Sequence, residues 1–306
     1  MHFVVVGAGA VGGYFGGKLA QAGAPVTFLV REGRFATLSQ RGLRVSSVHG
    51  DFVIKPTLAT SVDAIADPTI VMLAVKNYHL QETLPQLAHL VKKGAKVIPL
   101  LNGVQHVDRL IEALGKDAVW GGCCYVEATL SPEGDILQTS PMQDVLFGPL
   151  HSTQSGLVDD VASWLERAAI PGGPRPNIMA DLWTKYIFLT TLSAITTAAR
   201  LPVGPLREDP VSSAFFRDMV REGFAVAKAY EPGIPDDFPD ILLNRFASLS
   251  ATMTSSMHRD LEKGMPLELE ALQGALVELG RARGLDTPNF KAIYALLHPY
   301  LEGRND

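Results

Sequence analysis

The chain begins with a short, uninterrupted apolar run, Phe3 to Val6, which reads as a buried strand. A glycine cluster follows, the next stretch, Tyr14 to Gly23, has the texture of a helix, and Pro25 to Val30 reads as a second strand. This is the pattern of a βαβ unit. It recurs along the chain. Residues 70–75 form a buried strand and 80–90 a helix; 95–104 form a strand ending in the polar turn Asn102-Gly103; 107–115 form another helix and 118–130 another strand. Strands alternating with helices imply a parallel, doubly wound sheet with both faces covered. Residues 134–148 look different and predict a terminal β-hairpin or meander, while 158–168 are amphipathic and helical.

The texture changes after residues 170–177, Ile-Pro-Gly-Gly-Pro-Arg-Pro-Asn, whose prolines and glycines cannot sustain a helix and mark a boundary. Beyond it, 178–200, 210–230, 239–262 and 266–284 read as helices, with turns at 201–205 and 231–239, and no strand pattern returns. The expected fold class is therefore α/β: an N-terminal doubly wound Rossmann domain over residues 1–169 and a C-terminal all-helical domain over 178–306. A chain of 306 residues is also too long for one hydrophobic core.

Composition narrows the function classes. Apolar residues make up 47% and charged residues 19%, which is ordinary for a globular protein. The net charge is -5 and no block of Lys or Arg stands out, which argues against nucleic acid or an anionic membrane as the main partner and leaves room for a small anionic ligand. The two cysteines, Cys123 and Cys124, are adjacent, giving neither a disulfide framework nor the ligand spacing of a metal site. A reducing cytoplasm is the matching compartment. The N-terminus lacks the basic start of a signal peptide. The apolar stretch 187–199 is shorter than a membrane span and is interrupted by Thr and Ser.

The glycine cluster carries the first chemistry. Gly7, Ala8, Gly9, Ala10, Val11 and Gly12 follow a strand directly and open a helix. In that context Gly7 permits a tight turn, Gly9 lets the backbone approach a pyrophosphate, and Gly12 allows the helix to pack closely on the sheet. The free N–H groups of the helix start then face the phosphates. At the end of the second strand, where an NAD site places an acid, this chain has Arg31, with Glu32 and Arg34 close behind. A guanidinium matches a 2′-phosphate, so the cofactor predicted is NADPH, with Arg34 assisting; a register shifted by one would instead put Glu32 in the place of the acid.

Further polar residues stand where chemistry is done. Lys76 follows the strand 70–75, and Asn102 ends the strand after it; both lie where open α/β sheets bind ligands. Lys185 is the one charge within the apolar stretch Leu182 to Ala199. Such an ammonium either snorkels to solvent or lies at a cleft, where partial desolvation suits a general acid. Ser255-Ser256-Met257-His258-Arg259-Asp260, followed by Glu268-Leu269-Glu270, reads on its own as a capped, acidic surface helix.

Taken in order, these fragments resemble the ketopantoate reductase family over nearly the whole chain. The resemblance rests on the opening Gly-Ala-Gly-Ala-Val-Gly, the arginine after the second strand, the Val-Lys and Asn-Gly turns, the Trp-Thr-Lys helix, and Ser-Ser-Met followed by Glu-Leu-Glu. It implies that the glycine loop and Arg31 bind NADPH, that Lys76 and Asn102 contact cofactor or substrate, that Lys185 is the catalytic acid, that Ser256 binds the substrate carboxylate and that Glu268 organises the lysine. A small 2-oxo acid, by default ketopantoate on the route to pantothenate, is the implied substrate, and a homodimer the implied assembly. The chain departs from the family at Leu189 and Ser193, four and eight residues after Lys185, where asparagines are usual; both are expected to line the substrate pocket. A leucine there favours a more apolar 2-oxo acid. The remaining alternative, an NADP-binding regulatory protein without catalysis, is disfavoured by the retention of Lys185, Ser256 and Glu268.

Overall fold

In a computed structural model of the chain, residues 1–151 and 157–303 are described. By internal packing they divide into two units, one of Met1–Leu101 with His106–Ile178, the other of Asn102–Gln105 with Met179–Asp306.

The first unit begins with β1 (Phe3–Val6), α1 (Ala10–Gln21), β2 (Val26–Leu29) and α2 (Glu32–Arg41). Next come β3 (Leu43–Ser47), β4 (Phe52–Ile54), β5 (Thr57–Ala59), β6 (Ile70–Leu73), α3 (Leu80–Lys92), β7 (Lys96–Pro99) and α4 (Gln105–Leu114). β8 (Trp120–Leu130), β9 (Ile136–Pro149), α5 (Val158–Arg167) and β10 (Gly172–Pro174) complete it. Five strands form a parallel sheet in the order β5-β2-β1-β6-β7. All four residues of β1, β2 and β6 are buried, as expected of a sheet covered on both faces. Alternation splits the core: Phe3 and Val5 pack with Tyr14, Phe15 and Leu19 of α1, whereas Val4 and Val6 pack with Leu80, Leu87 and Leu90 of α3. The connections diverge on either side of β1, so the ends of β1 and β6 flank the point where such sheets bind ligands.

A second sheet, in the order β10-β9-β3-β4 with β8 alongside β9, was not expected. Residues 134–148 do not form a hairpin of their own. They belong to the single strand β9, which pairs antiparallel with β8. The ladder shifts between Val126 and Ala128, opposite the stretch containing Pro141, a residue that has no N–H for a regular ladder. β8 packs beside β7, where a Cβ on Gly122 would lie 2.7 Å from the Pro99 carbonyl oxygen, but its ladder is with β9; a bridge from Val119, just before β8, to Val97 joins the two sheets. The Pro/Gly stretch 170–177 supplies β10, which runs parallel to β9.

The second unit contains α6 (Ile178–Ala199, whose first residue belongs to the first unit), α7 (Val203–Glu208), α8 (Pro210–Tyr230), α9 (Phe238–Ser248) and α10 (Ser256–Glu262). A π-turn (Glu270–Gly274) runs into α11 (Ala275–Ala282), and α12 (Pro288–Leu297) follows. No strand occurs among its described residues. The helix expected over 239–262 is broken: α9 ends at Ser248 and a new helix starts at Ser256, where the Ser255 hydroxyl accepts from the N–H of His258 at 3.0 Å and caps α10. The helix expected over 266–284 begins late and irregularly, at the π-turn. Among the described residues no helix is long and apolar enough to cross a membrane, and no cluster of His, Cys, Asp and Glu could hold a metal ion.

Candidate active site

In the first unit the site is built from the ends of β1, β2 and β6. Gly7 follows β1 with φ +97°, and a Cβ there would lie 2.9 Å from the Ala74 carbonyl. A Cβ on Gly12 would lie 2.2 Å from the Gly7 carbonyl oxygen. Any side chain at either position would push the loop off the sheet. Gly9 is the opposite case. A Cβ there would meet nothing within 4 Å, and Gly9 starts α1 without any side chain capping the helix. The loop therefore combines a tightly held base with an open lip and uncapped N–H groups, which is what a pyrophosphate needs. Ala8, Ala10 and Val11 complete it, and the residues present fit a bound dinucleotide.

Arg31 stands at the start of α2 and is 71% exposed, paired with Glu82 and 3.4 Å from His79 Nδ1. An exposed pair of this kind contributes at most about 1 kcal/mol, so the guanidinium can exchange Glu82 for a phosphate at little cost. Arg34 does not take the assisting role expected of it. Its Nε donates to the Ala8 carbonyl at 3.0 Å and its Nη1 to the Gly134 carbonyl at 2.8 Å, and burial lowers its pKa. It braces the glycine loop from behind. Lys76 is half-buried beyond β6 and begins a one-turn helix, Asn77–His79.

The second unit brings together three of the residues expected from the sequence. Lys185 Nζ donates to Asn102 Oδ1 at 3.3 Å, and Asn102 Nδ2 donates to Glu268 Oε2 at 3.3 Å. The amide thus lies between an ammonium and a carboxylate with its dipole aligned to both. Glu268 is 6% exposed, and Lys185 is half-buried. The Asn-Gly turn is held in place: Gly103 has φ +86°, and a Cβ there would come within 2.7 Å of the Ala271 carbonyl oxygen.

Ser256 is the half-buried first residue of α10. Its neighbour Ser255 is buried, and the Ser255 and Thr196 hydroxyls are hydrogen-bonded at 3.1 Å, which ties the start of α10 to α6. Leu189 is half-buried one turn after Lys185. Ser193 is not on the accessible wall where it was expected. It is fully buried, its hydroxyl donating to the Thr190 carbonyl at 3.2 Å and accepting from Gln273 Nε2 at 2.9 Å. Gln273 and Thr196 escaped the sequence reading. A signal existed for Gln273, a polar residue among Leu269, Leu272 and Leu276 on the apolar side of its segment.

A doubly wound sheet with this glycine loop, and a helical unit presenting a lysine, an amide and a buried carboxylate, define an NAD(P)-dependent oxidoreductase. Residues 3–152 match the family described as ketopantoate reductase PanE/ApbA, and residues 177–301 match its C-terminal domain. The chain is 32% identical over 305 residues to the uncharacterized oxidoreductase YkpB of Bacillus subtilis, covering 98% of this chain and 99% of that one. It is 28% identical to the 2-dehydropantoate 2-reductase of Pyrococcus abyssi, covering 97% of each. The crystal structure of a PanE/ApbA family ketopantoate reductase from Ralstonia eutropha superposes with a TM-score of 0.88 at 28% identity, covering 98% of both chains. The chain belongs to the ketopantoate reductase family, and it is an NADPH-dependent oxidoreductase.

Proposed function

We propose that the protein reduces a small 2-oxo acid to the 2-hydroxy acid, with ketopantoate as the default substrate and pantoate as the product. The observation that carries this reading is the Lys185–Asn102–Glu268 chain. Gly7 to Gly12, with Arg31 and Lys76, would hold NADPH, which when bound would supply the hydride for the ketone carbon. Negative charge then develops on the ketone oxygen, where the Lys185 ammonium stabilises it and delivers the proton. Asn102 accepts from the ammonium and so orients it, and it also offers a polar group to the substrate. Glu268 accepts from the other end of that amide and so fixes its orientation toward the lysine. The Ser256 hydroxyl holds the substrate carboxylate and fixes the distance over which the hydride travels. The same reading carries a homodimer working in the cytoplasm.

A second reading, reduction of a more apolar 2-oxo acid, is favoured by Leu189 and Ser193. Leu189 has no hydrogen-bonding group, and the Ser193 hydroxyl is engaged with Thr190 and Gln273. Burying the ketopantoate hydroxyl without a partner would cost about 1–3 kcal/mol. The test is NADPH oxidation against a panel of 2-oxo acids with and without a hydroxyl on the side chain, for the wild type and for Leu189→Asn. If Leu189 selects, plain branched acids match or exceed ketopantoate, and the variant moves preference back. A wild-type preference for ketopantoate of about a hundredfold or more, unchanged in the variant, would remove the second reading.

A further inference from the structure

Gln273 is fully buried, and a buried carboxamide is costly unless it is hydrogen-bonded. Its Nε2 donates to two groups on α6, the Thr190 carbonyl and the Ser193 hydroxyl, each at 2.9 Å. The Thr190 carbonyl can only accept, so the amide is fixed in one orientation; turned over, it would set oxygen against oxygen. Both bonds fall within eight residues of Lys185 on the same helix.

The segment that carries Gln273 is the π-turn. Gly274 N–H bonds the Leu269 carbonyl, five residues back, at 3.0 Å, and Glu268 lies just before the turn. Wider turns of this kind are rare and interrupt the regular progression of a helix. Here three successive residues anchor it. The Ala271 carbonyl is packed against Gly103 of the Asn-Gly turn, the Leu272 carbonyl accepts from the buried Tyr186 hydroxyl at 2.7 Å, and Gln273 grips Thr190 and Ser193. Tyr186, Thr190 and Ser193 follow one another at helical spacing on one side of α6. The turn thus sets where Glu268 and Asn102 stand relative to Lys185.

We infer that Gln273 is a positioning residue: its two hydrogen bonds to α6 hold the π-turn so that Glu268, through Asn102, keeps its negative charge beside Lys185. The inference rests on the reductase reading for its catalytic consequence, but its structural consequence is independent of it. Without the grip the turn relaxes, and Glu268 and Asn102 lose their register with Lys185.

The test is Gln273→Met, which keeps an unbranched side chain of similar length and removes both donations. The surroundings of Lys185 are followed in substrate-free protein from its lysine Cε NMR signal at one fixed pH, assigned with Lys185→Arg. The expected result is a displaced Lys185 signal and kcat reduced about tenfold, with unchanged NADPH affinity. A folded variant with the wild-type Lys185 signal and wild-type kcat overturns the inference. Should Gln273→Met fail to fold, Ser193→Ala removes one of the two acceptors; a smaller displacement of the signal in the same direction supports the inference, and no displacement overturns it. If the wild type reduces no 2-oxo acid while the signal still moves, the functional reading fails and the positioning role stands.

Discussion

At the scale of single residues, the glycine loop separates folding from binding. Gly12→Ala places a methyl 2.2 Å from a backbone oxygen, so the loop must shift. The expected outcome is a loss of about 1–3 kcal/mol in stability together with cofactor binding. Gly9→Ala meets nothing within 4 Å and should unfold within about 1 kcal/mol of the wild type, while the methyl blocks the approach of a pyrophosphate. Thermal unfolding and NADPH fluorescence titration on both variants check the contrast; a Gly9→Ala protein that binds NADPH normally would place the phosphates elsewhere. Arg31 is proposed to hold the 2′-phosphate, a charged hydrogen bond that contributes about 1.5–3 kcal/mol, or roughly tenfold to a hundredfold in affinity. Arg31→Ala is therefore expected to narrow the NADPH-to-NADH ratio of kcat/KM by that factor, and an unchanged ratio would reassign the site. The glycine loop was legible in the sequence because its glycines stand between a strand and a helix, and Arg31 drew notice as a cation where an acid is usual. Arg34 was misread because sequence cannot show that its guanidinium is engaged by Ala8 and Gly134.

At the scale of elements, α10 carries a pH-sensitive contact. His258 is buried, and neither ring nitrogen has a hydrogen-bond partner; Nε2 lies 3.6 Å from Glu262. Burial lowers its pKa, with Glu262 opposing and Arg259 adding to the shift. Above about pH 6.5 the ring is neutral both folded and unfolded; below it the unfolded chain takes up a proton that the folded one resists, so stability falls as pH falls. Denaturant midpoints measured from about pH 7.5 to about pH 5.5 are expected to decline, and His258→Met is expected to decline less. Equal slopes would show that other groups set the acid limit. Element boundaries were legible where end signals were strong: α8 starts at Pro210, with the Asp209 side chain accepting from Ser212 N–H at 2.7 Å. β3, β4 and β5 were missed because they are three to five residues long and partly exposed. The π-turn was invisible because its apolar spacing is that of any amphipathic helix.

At the scale of the whole molecule, the parallel sheet declared itself through buried strands such as Ile70–Leu73, whereas the second sheet depends on pairings between Val45 and Ile136 that are far apart in sequence. The same distance hides the site. Asn102, Lys185 and Glu268 each stood out locally, at a strand end, in an apolar helix and after a serine pair, but nothing in the residues alone says that one amide joins the other two. Family resemblance brought Glu268 to Lys185 and gave Asn102 to cofactor or substrate; the amide that joins the two is seen only in the folded unit. Lys185 is proposed as the acid that completes the reduction. The most direct measurement is kcat for NADPH-dependent reduction of the best 2-oxo acid by wild type and Lys185→Ala, with NADPH affinity measured alongside. The account predicts a folded variant that binds NADPH as the wild type does and turns over about two to four powers of ten more slowly. Near-normal turnover in that folded variant would contradict it and leave Lys185 a lysine that merely reaches from an apolar helix to solvent.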